Sequence, residues 1–365
     1  MASDGNGMNK EEQNIDDVEF IFQEVTRFAQ MPVADMKRYL RENPYNIFTT
    51  LSKRSGGILF CGRAAYYRFD ELADRTIKKG SVEAKAFDRR DYVRALRDAF
   101  VEIFVEKGNT VNPSSVARMV NKANQIVKKE MVEVTHHIPC ILFYEKEPAT
   151  FTVGPVTFTR TEKFLTDFEH AIEVYHESSL SAFADGLHQR KPVLSEDEIT
   201  ARAKGFADNH IGKIRTYYTE YDWVASVAIP PCHGSLSKSR AERTVDAALD
   251  VLRLFVPSYP ERYRRANVPN APSDMCELTS DQSGHIHPTM RYEGRGAPAG
   301  DGWYTAILKD ADDLWHLFEQ AIDDLRDEQK SDELNKRLLD AVNWFGQAVV
   351  ETNPAAKVVK YAAAI

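Results

Sequence analysis

DDLWHLFEQAIDDLR (312–326), ELNKRLLDAVNWFGQAVV (333–350) and NPAAKVVKYAAAI (353–365) follow one another with almost no loop between them. Each carries a helical apolar period. The first places Leu314, Leu317, Phe318, Ala321, Ile322 and Leu325 on one face. The second places Leu334, Leu338, Ala341, Val342, Phe345, Ala348 and Val349 there, at i, i+4, i+7 and i+8 steps. Asn353 reads as an N-cap and Pro354 as the first residue of a third helix. That helix is apolar at Val358, Val359, Ala362 and Ile365 and has no stop signal. Three such helices leave a face open, and the chain is organised around that half-finished bundle.

Arg337-Leu338-Leu339-Asp340-Ala341-Val342-Asn343-Trp344-Phe345-Gly346-Gln347-Ala348, followed by Asn353-Pro354-Ala355 and the apolar 357–365, resembles the opening of an Apea-like HEPN domain. The resemblance implies a helical bundle and, for the family, a metal-independent ribonuclease of the toxin or anti-phage kind. The family's signature is an Arg, four to six residues, then a His on a late helix. None of the ten histidines has an Arg at that spacing, so no catalytic residue is carried onto this chain. The resemblance implies that such a helix would follow Ile365.

At 365 residues and 43% apolar content the chain can bury a substantial core in two or three domains. Its net charge of −8 argues against broad non-specific nucleic-acid binding and leaves room for a local basic patch. Cys61, Cys140, Cys232 and Cys276 form no Cys-x-x-Cys pair, and read as reduced, buried thiols of a cytoplasmic protein. No apolar run approaches the ~18 residues that span a bilayer, and no membrane partner is expected.

The fold class expected is α+β. Residues 1–13 read as a polar tail, and 14–134 as mainly helical, with faces at Ile15, Val18, Phe22, Val25 and Ala29 and along 87–105. A further helix over 113–131 opens at Asn112 or Ser114. Residues 135–310 read as mixed α/β. There, the apolar run 138–144 and the segment 151–158, which alternates around Gly154-Pro155, are expected to form a hairpin or adjacent strands, 163–175 and 195–218 are helical, and 223–229 is a strand stopped by Pro230-Pro231. A helix over 239–255, ended by Pro257, and strands near 275–279 and 285–292 complete it. Residues 311–365 are the incomplete HEPN-like bundle.

Candidate chemistry is sparse. His136-His137 with Cys140, and His285-x-His287 with Cys276 or Cys232-His233, have ligand-type side chains. A structural zinc site needs four ligands and usually a tight cysteine pair, so no metal is assigned. Cys232 and His233 are neighbours that point apart in extended chain, and no Gly-x-Ser-x-Gly elbow is present. Gly56-Gly57 beside Lys53 and Arg54 reads as a turn, because the phosphate-loop pattern is missing. The acids of 310–313, 323–324 and 327–328 read as a solvated helix face.

Arg262-Tyr263-Arg264-Arg265 is the densest basic cluster, and its Tyr could stack a base while its guanidiniums fork onto phosphate. Arg63, Tyr66, Tyr67 and Arg68 form a second such set. Two readings follow. One is the sensor and scaffold portion of a HEPN-type ribonuclease, without the catalytic motif or a cofactor, contacting RNA through residues 262–265. The other is a non-enzymatic interaction protein whose face at Val358, Val359, Ala362 and Ile365 pairs with a second copy or another chain.

Overall fold

The computed structural model describes residues 9–42, 49–52, 58–77, 86–145, 147–190, 195–256, 258–266, 275–280, 286–291, 297–327 and 332–365. The Gly56-Gly57 turn and His285 lie outside them, as do the side chains of Cys276 and His287. The chain is mixed α+β and mostly helical, and it divides into two compact units, 1–133 with 230–238 and 134–229 with 239–365. The chain therefore crosses between units three times.

The first unit holds α1 (Lys10–Gln30), α2 (Val33–Glu42), the antiparallel pair β1 (Thr49–Ser52) and β2 (Ile58–Cys61), α3 (Arg63–Thr76), α4 (Arg89–Phe100) and α5 (Pro113–Glu130). The expected tail is shorter than 1–13. Asn9 accepts from the backbone of α1 while Glu12 reaches back to the Asn9 N–H at 3.1 Å, and this capping box starts the helix at Lys10. The α1 face is also turned from the expected one. Val18, Ile21, Val25 and Phe28 are buried and so is Asp17, because two arginines of α3 meet its carboxylate. Six residues, Val101–Glu106, extend α4 as a wider π-helical turn. Asn112 caps α5 and Pro113 is its first residue, as the sequence predicts. Phe69, Leu72, Tyr92, Leu96, Phe100, Phe104 and Met119 fill the core between these helices.

The second unit is built on a five-stranded sheet in the order β4-β5-β6-β3-β7. Its strands are β3 (Val132–Ile141), β4 (Thr150–Val153), β5 (Val156–Arg160), β6 (Trp223–Cys232) and β7 (Arg264–Arg265), and β4 to β5, β5 to β6 and β3 to β7 pair antiparallel. The expected pairing of 138–144 with 151–158 is not formed: 151–158 is itself the β4–β5 hairpin, and β3 lies between β6 and β7. Gly154, at φ 56°, makes the β4–β5 turn and backs onto Glu319, where a Cβ would stand 2.9 Å from the Glu319 carbonyl. Pro230 and Pro231 do not stop β6. Its pairing with β5 uses 223–226, so the missing proline N–H groups cost no bond of that register.

The helix expected over 163–175 is two helices, α6 (Thr161–Asp167) and α7 (Glu169–Arg190), broken at Phe168, whose ring packs at 4.4 Å on Phe164 and 4.6 Å on His137. Next come α8 (Glu196–Thr219), which Ser195 caps, α9 (Gly234–Phe255), an antiparallel pair β8 (Met275–Ser280) and β9 (Ile286–Arg291), and α10 (Trp303–Asp310). The C-terminal helices α11 (Asp312–Arg326), α12 (Glu333–Val350) and α13 (Pro354–Ala364) stand at the expected positions. Their inward faces differ. Trp315 enters the core of α11 and packs on Phe255 at 5.3 Å, while Leu314 and Leu317 are exposed. Leu339 and Gly346 are buried on α12, and Leu334 is exposed.

Candidate functional site

The basic cluster is pulled apart by the elements that carry it. Pro260–Arg262 form a 3-10 turn, after which Arg264 and Arg265 pair with β3. Tyr263 between them is fully buried, 5.0 Å from the Phe143 ring, with its hydroxyl donating to the Ser258 carbonyl at 2.8 Å. A ring so enclosed has no face for a base. Arg265 is drawn inward by α9, its Nε donating to Asp246 at 2.8 Å with Glu242 at 3.7 Å. Arg264 is half-buried. Arg262 is half-buried as well, its guanidinium 4.4 Å over the Tyr259 ring and 3.4 Å from the Tyr144 hydroxyl. Tyr259 and Tyr144 are both exposed. The basic-aromatic surface is thus Arg262 with these two tyrosines, and Tyr144 is a member that sequence proximity could not supply.

Beneath this turn lies a buried ionic centre that the sequence did not suggest. Asp250 of α9 accepts from Arg253 Nη1, and Arg253 also donates to the carbonyls of Pro260, at 3.2 Å, and Tyr263. One guanidinium so ties the helix to the turn. Burial pushes Asp250 up to about 7, against the pull of Arg253 and with the push of Asp246.

The terminal helices form a pair. Asn353 accepts from the N–H groups of Ala355 and Ala356, Lys360 meets Glu351 at 2.7 Å, and Tyr361 packs on Phe345 with centroids 5.9 Å apart. These contacts use one side of α13, which buries no residue fully. Val358 and Val359 are each 67% exposed, and Ala362 and Ile365 are exposed as well. Trp344 and Val350 of α12 are also exposed.

In the first unit, His233 is buried with a carboxylate at each ring nitrogen. Nδ1 is 2.7 Å from Asp91 and Nε2 is 2.8 Å from Glu130. Arg94 Nη2 is 2.9 Å from both Glu130 and the ring. Ser235 donates to Asp91 at 2.6 Å but stands 3.5 Å from Nδ1. Serine and aspartate crowd the same nitrogen, so the ring cannot relay a proton between them. The cluster acts as an anchor for 230–238. The Cys232 thiol is buried.

The other expected chemistry is also tied into structure. His137 bonds Ser226 at 2.8 Å, and burial, aided by His136, lowers its pKa. Cys140 is buried, which raises its thiol pKa. Among the described residues no cluster of three or more His, Cys, Asp or Glu could hold a metal. Arg63 donates to the Tyr67 hydroxyl and Arg97 lies 4.9 Å over Tyr66. Arg68 and Arg75 both bond Asp17 beside a cavity of about 410 Å³ that Gln13, Asp16 and Glu71 also line. That cavity is polar throughout, unlike most small-molecule sites.

The chain matches no family model, no curated protein and no solved structure. Among the described residues no helix is long and apolar enough to cross a membrane.

Proposed function

We propose that this chain is a recognition and scaffold protein that works by pairing its C-terminal helices with those of a second copy, as the sensor portion of a HEPN-type ribonuclease assembly of the toxin or anti-phage kind. The observation that carries the pairing is the outward face of α13, where Val358, Val359 and Ala362 lie exposed on the helix and Ile365 lies exposed just after it. Burying a Val or Ile side chain stabilises by roughly 1.5–3 kcal/mol relative to water. A contiguous apolar face of this kind marks an interface. A two-fold axis lets the same face serve both copies and closes the assembly.

Sedimentation velocity over a range of concentrations tests this. The intact chain is expected to show a concentration-dependent dimer that is lost on truncation after Thr352. A monomer at every concentration overturns the reading.

In the same reading RNA meets the protein at Arg262, with Tyr259 and Tyr144 beside it. Arg262→Ala is expected to make the slope of log K against log[salt] shallower by about 1 unit in filter binding with single-stranded RNA. Arg265→Ala is expected to lower stability and leave that slope unchanged, because its charge is spent on Asp246. A slope that moves only with Arg265 places the phosphate contact elsewhere.

A further inference from the structure

Asp250 is 5% exposed, and α12 faces it with a residue that has no side chain. A Cβ built on Gly346 would stand 1.8 Å from one Asp250 carboxylate oxygen and 2.8 Å from the other. The carboxyl group therefore fills the notch that the glycine leaves between α9 and α12. Its polar support comes from the other side. Arg253, on α9 itself, gives it one nitrogen and spends the other two on the Pro260 and Tyr263 carbonyls.

We propose that Asp250 is a proton-operated latch on α12: the neutral carboxyl lets the helix lie against α9, and its ionisation loosens the contact and changes how the α12–α13 face is presented. The functional consequence rests on the docking reading above; the latch does not.

The physical case is the mismatch between a buried charge and what surrounds it. The charged groups acting on Asp250 are Arg253, which favours its ionisation, and Asp246 one turn earlier, which opposes it. Asp246 is in turn paired with Arg265 and flanked by Glu242. The 3-10 turn that also packs on α12 carries Glu261 and Arg262. Gly346 brings no donor of its own side chain, and its neighbours on the buried face are Leu339, Val342 and Val349. Ionised Asp250 must share one guanidinium with two backbone carbonyls. Opening α12 would restore water to it, and burial of an ionised carboxylate is costly without full pairing.

The sign follows from linkage. Asp250 is held at about 7 with α12 docked, above the ordinary carboxylate value of 3.8. The docked state therefore binds the proton more tightly. Docking is strongest below the ordinary value, weakens as pH rises through the interval up to about 7, and is constant above it.

Hydrogen exchange of peptides from 333–350, corrected for intrinsic rates, reads the opening directly. Between pH 5 and pH 8 the opening constant is expected to rise by between about tenfold and about a hundredfold, the upper figure being the full linkage of a group that returns to ~3.9 when open. Asp250→Asn keeps the shape and an acceptor for Arg253, and is expected to hold that change within about threefold of constant. An equal pH dependence in both proteins overturns the latch. Should the variant fail to fold, carbon-13 NMR of the wild-type aspartate carboxyls decides. A buried carboxyl titrating near 7 supports the latch, and no midpoint above 5 overturns it. Sedimentation reports only the α13 face, so either idea can fail without the other.

Discussion

Gly346→Ala is expected to lower the stability of the second unit by about 3 kcal/mol or more, at the upper end of what overpacking a filled core costs. The added methyl lands 1.8 Å from the Asp250 oxygen, a separation no non-bonded pair of heavy atoms tolerates. The carboxyl cannot swing aside cheaply, because Arg253 holds it and the site is closed to solvent. Thermal unfolding followed by circular dichroism should show a drop of roughly 6–12 °C for a unit of this size. Adding Asp250→Ala removes the obstacle and leaves Arg253 short of its carboxylate. The double variant should therefore cost clearly less than the sum of the two single ones, with a coupling of about 1–3 kcal/mol. Strict additivity would mean that α12 does not approach α9 at this point.

Trp223→Ala is expected to cost about 3–5 kcal/mol. The indole is buried at the start of β6, donates to the Phe143 carbonyl at 3.1 Å and packs on Phe151 at 5.2 Å. The Arg160 guanidinium lies 4.4 Å over its face. Removing it empties the centre of the sheet and strands a carbonyl at once. Trp223→Phe keeps most of the packing and loses the N–H, so its cost should stay near 1 kcal/mol. Urea midpoints for the two variants separate these contributions. Equal midpoints would assign the whole effect to the hydrogen bond.

How much of this was legible in the sequence depended on how local the deciding interaction is. Asn112 and Asn353 were readable as caps because the bond each makes spans two or three residues. The start of α13 followed for the same reason. The rotation of each helix about its axis was less readable. Leucines at 314, 317 and 334 fit the period, but Trp315 packs on the Phe255 ring and Leu339 is buried in their stead. The basic loop was misread because a Tyr flanked by arginines looks solvated in one dimension, whereas Tyr263 plugs the core beside Phe143. Gly346 stood in a quoted motif, yet its reason is a carboxylate 96 positions earlier in the chain, by the difference 346 − 250. No spacing rule reaches that far.

The chain's three crossings between units have a consequence for biosynthesis. Residues 1–133 emerge from the ribosome well before 230–238, and 229 − 133 gives 96 intervening residues. At a translation rate of roughly 5–20 residues per second that is a wait of about 5–20 s. Over that interval Asp91 and Glu130 lack the imidazole that bonds both in the finished fold. The first unit must hold its helices together in an unfinished state, or be held, while most of the sheet is still being made. A nascent chain arrested before His233 should therefore be more open to protease at α4 and α5 than one arrested some 40 residues after Lys238, once the tunnel has been cleared.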